Sequence, residues 1–267
     1  MDMSTVVTAS GSSGDFLRQP VTGSEIKLYD RAYEDWRIGL LGLCIRYENA
    51  FFLIDDGMNK QNIYDGVYCG WNIGSDVLIR RGHTFLRIGK DGSKCRVDVG
   101  ECHNDWRVRF VRLYVRNRNE FFCIGKDGNK NKVYEGEYSV WGIEFPGLYI
   151  RYGNVFFLIN GGRRKVYEGP WDDLRIGPLG LYIRLGNLFF HIDKNGHRRD
   201  ICRIYGKVDD WAVRWTYLYF RSGNAFFRIS DDGAVRKIYE GPWTQWRLGP
   251  LGLYVDCGDA ILLIIAE

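Results

Sequence analysis

The chain has 267 residues and a formal charge of +4, from 37 Lys and Arg against 33 Asp and Glu; aromatic residues make up 15% of it. That length can bury a full core, and so weak a basic balance does not by itself imply a nucleic-acid partner. The 7 cysteines are odd in number and include no C-x-x-C pair, which argues against a disulfide framework or zinc knuckle and for reduced packing thiols.

Residues 1–24 are rich in Ser, Thr and Gly and lack periodicity, so they read as a flexible N-terminal arm, with no apolar run of the secretory kind. The longest apolar run, residues 260–266, is far shorter than the about 20 residues that span a bilayer. The expectation is a soluble, cytoplasmic protein without a transmembrane segment, with non-classical secretion left open.

From residue 25 to 267 one phrase returns seven times, and the spacing predicts a single domain. Its ruler is Trp36, Trp71, Trp106, Trp141, Leu174, Trp211 and Trp246, with a period averaging 35 residues. Each unit reads as four short strands: one carrying the ruler, then Leu-Tyr-Ile-Arg, then Phe-Phe-x-Ile, then Val-Tyr-Glu-Gly. Val, Ile, Tyr, Phe and Trp suit a pleated surface, and no stretch holds a helical period. The second and third strands are joined by Gly-Asn pairs such as Gly153-Asn154, Gly186-Asn187 and Gly223-Asn224; the third and fourth by Asp-Gly or Asn-Gly, which favour tight hairpins.

Four strands in 35 residues make a small sheet that cannot bury both faces alone, whereas seven around an axis can. This predicts an all-β, seven-bladed β-propeller. A linear solenoid is the competitor, and the ends discriminate. Residues 26–30 read as a fourth strand with no preceding partners, while the last unit stops after its third strand, at residues 261–265. The first segment is therefore expected to complete the last blade and close the ring.

Strand order places the links between blades and the second-to-third hairpins on one face. Three positions before the ruler stand Tyr33, Tyr68, Tyr138, Trp171 and Trp243; one position before it stand Asp35, Asp105, Asp173, Asp210 and Gln245. Rings that stack on the C–H face of a pyranose, beside carboxylates and amides that take its hydroxyls, make a sugar site. The preferred sites pair Trp171 with Asp173 and Asn187, and Trp243 with Gln245 and Asn224; Tyr138, Asn154, Tyr33 and Asp35 are further candidates. The same residues also suit a structural role, with rings packed between sheets and Asp capping the turn. The strand-end arginines Arg46, Arg80, Arg116, Arg151, Arg184 and Arg221 suit an interblade pairing with Asp65, Glu135, Glu168 and Glu240.

On the opposite face, units three to six carry basic residues, among them Lys126, Lys130, Arg163, Arg164, Arg198 and Arg236, able to dock an anionic partner or simply to solubilise the turns. Nothing points to catalysis: the four histidines His83, His103, His191 and His197 occupy unrelated repeat positions, and no hydrolase, zincin or P-loop string occurs. The Asp-Gly turns lack the ladder of a calcium loop. No cofactor, metal site or specific nucleic-acid motif is expected.

At the level of Trp-x-(Ile/Val)-Gly, Gly-Leu-Tyr-Ile, Asn-x-Phe-Phe-x-Ile and Val-Tyr-Glu-Gly, the repeat resembles the tectonin and tachylectin class of β-propeller lectins. The resemblance covers residues 26–267 and implies a multivalent binder of glycans or glycoconjugates acting in defence or recognition. No site motif of that class is matched, so no binding position is carried over. The alternative is a non-catalytic protein-interaction scaffold. The exceptions Leu174, Val208, Asp98 and Asp256 break sevenfold uniformity, so fewer than seven occupied sites are expected.

Overall fold

The computed structural model describes residues 21–55, 58–99, 105–109, 112–144, 146–230 and 233–266. Its 28 strands form seven four-stranded antiparallel sheets, the blades of a β-propeller. In six blades the strands follow one another in chain order. The exception is the strand Gly23–Tyr29, which lies beside Ile261–Ala266 and supplies the fourth strand that the last blade lacks. The expected joining of the two chain ends in one blade is therefore present. That strand starts at Gly23, inside the arm expected over 1–24; residues 1–20 of that arm lie outside the described residues.

Blade five shows why the phrase folds as it does. Its strands are Asp173–Gly177, Gly180–Leu185, Leu188–Asp193 and Arg198–Arg203. Gly186, at φ 61°, turns the second strand into the third, a backbone state that L side chains rarely adopt. The doubled Phe sets the fourth strand. In blades one, three, four, five and six the register slips by one residue between the two Phe rings, so a bulge opposite them leaves an Ile or Val unpaired. Blade two has Phe85-Leu86 instead, and its third and fourth strands pair without a slip.

The chain divides into two compact units, one built on Tyr138–Thr244 and the other on Lys27–Glu137 with Gln245–Leu263. Within each, the phenylalanine near the start of the third strand meets the ruler of the following blade edge to face. Phe51 and Trp71 have centroids 5.2 Å apart, and Phe85 and Trp106 are 4.9 Å apart. In the other unit Phe189 and Trp211 stand 5.3 Å apart. Trp36 and Trp211 are each only 1% exposed. Such pairs contribute about 0.5–1.5 kcal/mol beyond area burial, so the repeated aromatic content holds blade to blade.

Candidate functional site at the blade junctions

The residue before each ruler begins the first strand, and its carboxylate does two jobs. Asp35 accepts the backbone N–H of Trp36 at 2.8 Å and the indole N–H of Trp71, in the next blade, at 3.0 Å. Asp173 accepts from the backbone of Leu174 at 2.8 Å, from Trp211 Nε1 at 2.7 Å and from Arg175 Nη1 at 2.7 Å. Both were candidate acceptors for sugar hydroxyls, and both carry the turn-capping role together with an interblade bond. In the same layer, Arg37 lies 4.6 Å from the centre of the Trp71 ring and Arg175 5.2 Å from that of Trp211.

The last blade reverses the arrangement. Gln245 takes the place of the aspartate, and its cross-strand partner is Asp256, where other blades carry arginine. Asp256 accepts from Trp36 Nε1 at 3.3 Å, from the backbone of Gly258 at 2.7 Å and from the hydroxyl of Tyr33. Burial and the Asp256 carboxylate together push the Tyr33 hydroxyl well above the usual phenol range. Tyr33, another sugar-site candidate, is thus a junction residue.

The strand-end arginines have different partners from the carboxylates expected for them. Arg46 pairs with Glu34, Arg116 with Asp105 at 3.0 Å and Arg221 with Asp209 at 3.3 Å, all within their own blades. Asp65, Glu135, Glu168 and Glu240 instead meet Asn62, Lys132, Lys165 and Lys237 three residues earlier on the fourth strand. The reason is strand geometry: the bulge aims both ends of that i, i+3 pair to one side. Residues two before the ruler, which the sequence reading passed over, fix the second-to-third hairpin. Asp172 accepts from Gly186 N at 2.5 Å, Asp209 from Gly223 N at 2.7 Å, and Glu34 from Glu48 N at 3.3 Å. An acid recurring at that offset was the available signal.

Held by these acids, or in blade four by the Ser139 hydroxyl that accepts from Arg151 Nε at 3.0 Å, the arginines lie over the link aromatics. Arg46 is 5.5 Å from the centre of Tyr68, Arg151 is 5.1 Å from Trp171 and Arg221 is 4.3 Å from Trp243. On the same rings, Phe51, Phe156 and Phe226 pack edgewise at 5.1, 6.1 and 6.1 Å. Each of these hairpins also carries an exposed asparagine, Asn49, Asn154 or Asn224. So Trp171 is brought together with Arg151, on the blade of Asn154. Asn187, chosen as its partner, accepts from Arg203 through its side-chain oxygen at 3.4 Å. Trp243 meets the hairpin of Asn224, whose carbonyl accepts from Gly241 N at 3.2 Å. Gln245 is exposed and Tyr138 half-buried.

On the opposite face the basic residues are partly matched. Lys130, Arg163 and Arg198 lie 4.2, 3.8 and 4.0 Å from the second Phe ring of their own blades, and Arg198 also pairs with Asp200 at 2.8 Å.

No family model and no curated protein matches the chain. Solved structures do. A streptogramin B lyase superposes with a TM-score of 0.60 at 12% identity, covering 92% of this chain and 97% of that one. Virginiamycin B lyase from Staphylococcus aureus gives 0.56 at 13%, covering 92% and 99%. KlHsv2 with a replaced loop gives 0.57 at 10%, covering 90% and 98%. At these identities the likeness shows the fold alone, and proteins as different as a lyase and Hsv2 share it.

Proposed function

We propose that this propeller is a non-catalytic recognition protein that takes carbohydrate at its blade junctions. The observation that carries the reading is the set found three times over, an arginine laid on a link aromatic beside an exposed hairpin asparagine: Tyr68–Arg46–Asn49, Trp171–Arg151–Asn154 and Trp243–Arg221–Asn224. A guanidinium held over a ring is pre-organised, and its donors suit vicinal hydroxyls while the amide supplies both a donor and an acceptor. Asp35 and Asp173 are left out of the proposed set, because each already accepts a backbone N–H of its own blade and the indole N–H of the next. Two junctions depart from the set: blade five faces Val208, and blade seven carries Asp256 in place of arginine. Weak sites repeated on one body gain avidity on a multivalent glycan. A glycan array tests the class: the native protein is expected to retain a defined subset of glycans, and Asn154→Ala/Asn224→Ala to lose it while keeping its thermal midpoint. An array without retained glycans overturns the reading.

One observation favours a second reading, a protein-docking scaffold. Trp215 stands 49% exposed at the tip of a first-to-second hairpin with φ 53°, a costly state for a bulky residue. Leu179, at the matching tip of blade five, is 44% exposed. Trp215→Gly is expected to raise the thermal midpoint. Under this reading it also abolishes capture of a protein partner that free sugar does not release.

A further inference from the structure

Blade two departs from the repeat along its fourth strand. In blades three, four and six the cation there is neutralised three residues on: Lys132 by Glu135 at 2.7 Å, Lys165 by Glu168 at 2.9 Å and Lys237 by Glu240 at 2.9 Å. In blade two the corresponding residue is Arg96; the bulge is missing, so the register place of those glutamates falls to Asp98, two residues on, while Val99 is buried. The fourth strand here pairs without the bulge, setting Leu86 opposite Arg96 and Thr84 opposite Asp98. On the next strand Arg81 stands opposite Thr84. Cross-strand partners project to the same side of a sheet, so two guanidinium groups, a hydroxyl and the Asp98 carboxylate share one surface. Between them lies an open cavity of about 340 Å³ lined by Arg81, Thr84, Leu86 and Arg96.

We infer that this cavity binds a tetrahedral oxyanion, the phosphate or sulfate of a monoester, with Arg81 and Arg96 as its charge partners and Thr84 as a hydroxyl donor. Arg96 Nη2 already reaches Thr84 Oγ1 at 3.4 Å, and among the described residues Arg81 has no side-chain partner. Among the described residues Asp98 is the carboxylate that pairs with Arg96, at a loose 3.7 Å, with both side chains mostly in solvent. Such an ion pair is weak, and an oxyanion that accepts from two planar forks displaces it. The volume exceeds that of the anion alone, leaving room for the first atoms of the group that carries it, against Leu86. This site is separate from the three junction sets and does not rest on them.

Isothermal titration of the full chain at fixed ionic strength, with inorganic phosphate and inorganic sulfate as probes and chloride as the background ion, tests the site. Saturable binding at one site is expected, weakened about tenfold or more by Arg81→Gln or Arg96→Gln and strengthened by Asp98→Asn. Asp98→Asn is the informative variant, since it removes the carboxylate that competes with the anion for Arg96. Phosphoserine and a 6-sulfated monosaccharide, run in parallel, distinguish the two sources of the group. No saturation by either inorganic ion, or binding indifferent to all three substitutions, overturns the inference. Glycan retention by Arg81→Gln/Arg96→Gln stays as in the native protein, so failure here is distinguishable from failure at the junctions.

Discussion

Asp256 accepts the indole N–H of Trp36 from the strand position that holds arginine in other blades, while Gln245, its cross-strand partner, occupies the position of the usual aspartate. The acid has moved across the strand pair, and the interblade bond has been kept. Trp36 is almost fully buried, so Asp256→Ala strands its N–H and is expected to cost about 1–3 kcal/mol by urea unfolding. Asp256→Asn retains an acceptor and should cost less. Gln245→Asp/Asp256→Arg restores the arrangement of blade one and is expected to be more stable than Asp256→Arg alone; a double variant no better than the single would show that the two positions are not exchangeable.

The same logic accounts for Leu174. Asp173 bonds the ruler of the next blade, Trp211, whereas the blade before Leu174 carries Val140 in place of an aspartate. A ruler without an N–H needs no acceptor. These departures could be found in the sequence, but their meaning could not, because the pairing of one blade's acid with the next blade's indole is set by how sheets stack. Strand phrases, hairpin glycines and the shared last blade were all legible, since each is carried by local pattern. The arginine partners were not: the expected carboxylates are at suitable sequence offsets, yet the bulge opposite the doubled Phe gives them to Lys132, Lys165 and Lys237 instead. Blade two did signal its difference, through Leu86 in place of the second Phe and Arg80 arriving one position early.

The added strand of the last blade depends on close backbone approach. A Cβ on Gly23 would lie 2.2 Å from the carbonyl oxygen of Ile238 and 2.7 Å from Ile264 Cγ2, and the preceding Thr22 N–H bonds Lys237 O at 3.0 Å. Gly23→Ala is expected to lower the thermal midpoint clearly, and removal of residues 21–29 to expose the edge of 261–266 and promote association. Light scattering alongside the melt checks both; an unaltered melt for Gly23→Ala would remove this strand from the stability account.

His191 is buried with its ring 4.7 Å from Tyr182, and burial holds its pKa below the ordinary 6.5. Arg199 lowers it further, while Asp193 and a backbone contact at Leu179 pull the other way. The unfolded chain takes up this proton at about pH 6.5 and the native chain resists it. Stability is therefore full above that pH and falls below it, by at most about 1.4 kcal/mol per pH unit. Urea midpoints between pH 7.5 and 5.5, above the carboxylate range, should slope downward in the native protein and lie flatter in His191→Leu, the residue that blades one and four carry as Leu53 and Leu158.

Burial pushes the thiols of Cys44 and Cys202 up to about 12, while Cys69 and Cys95 are exposed. Iodoacetamide at pH 8 should modify Cys69 and Cys95 first and reach Cys44 and Cys202 only in denaturant, since the thiolate is the nucleophile. Peptide mass spectrometry reads the order; early modification of Cys202 would contradict the packing described for it.

Sugar binding at the three junctions is tested most directly by isothermal titration of the full chain with a monovalent saccharide selected on the glycan array. About three saccharides are expected to bind per chain, falling to about two in Asn224→Ala or Arg221→Lys with the remaining affinity unchanged. An absence of binding heat, or a stoichiometry that neither substitution alters, would contradict it.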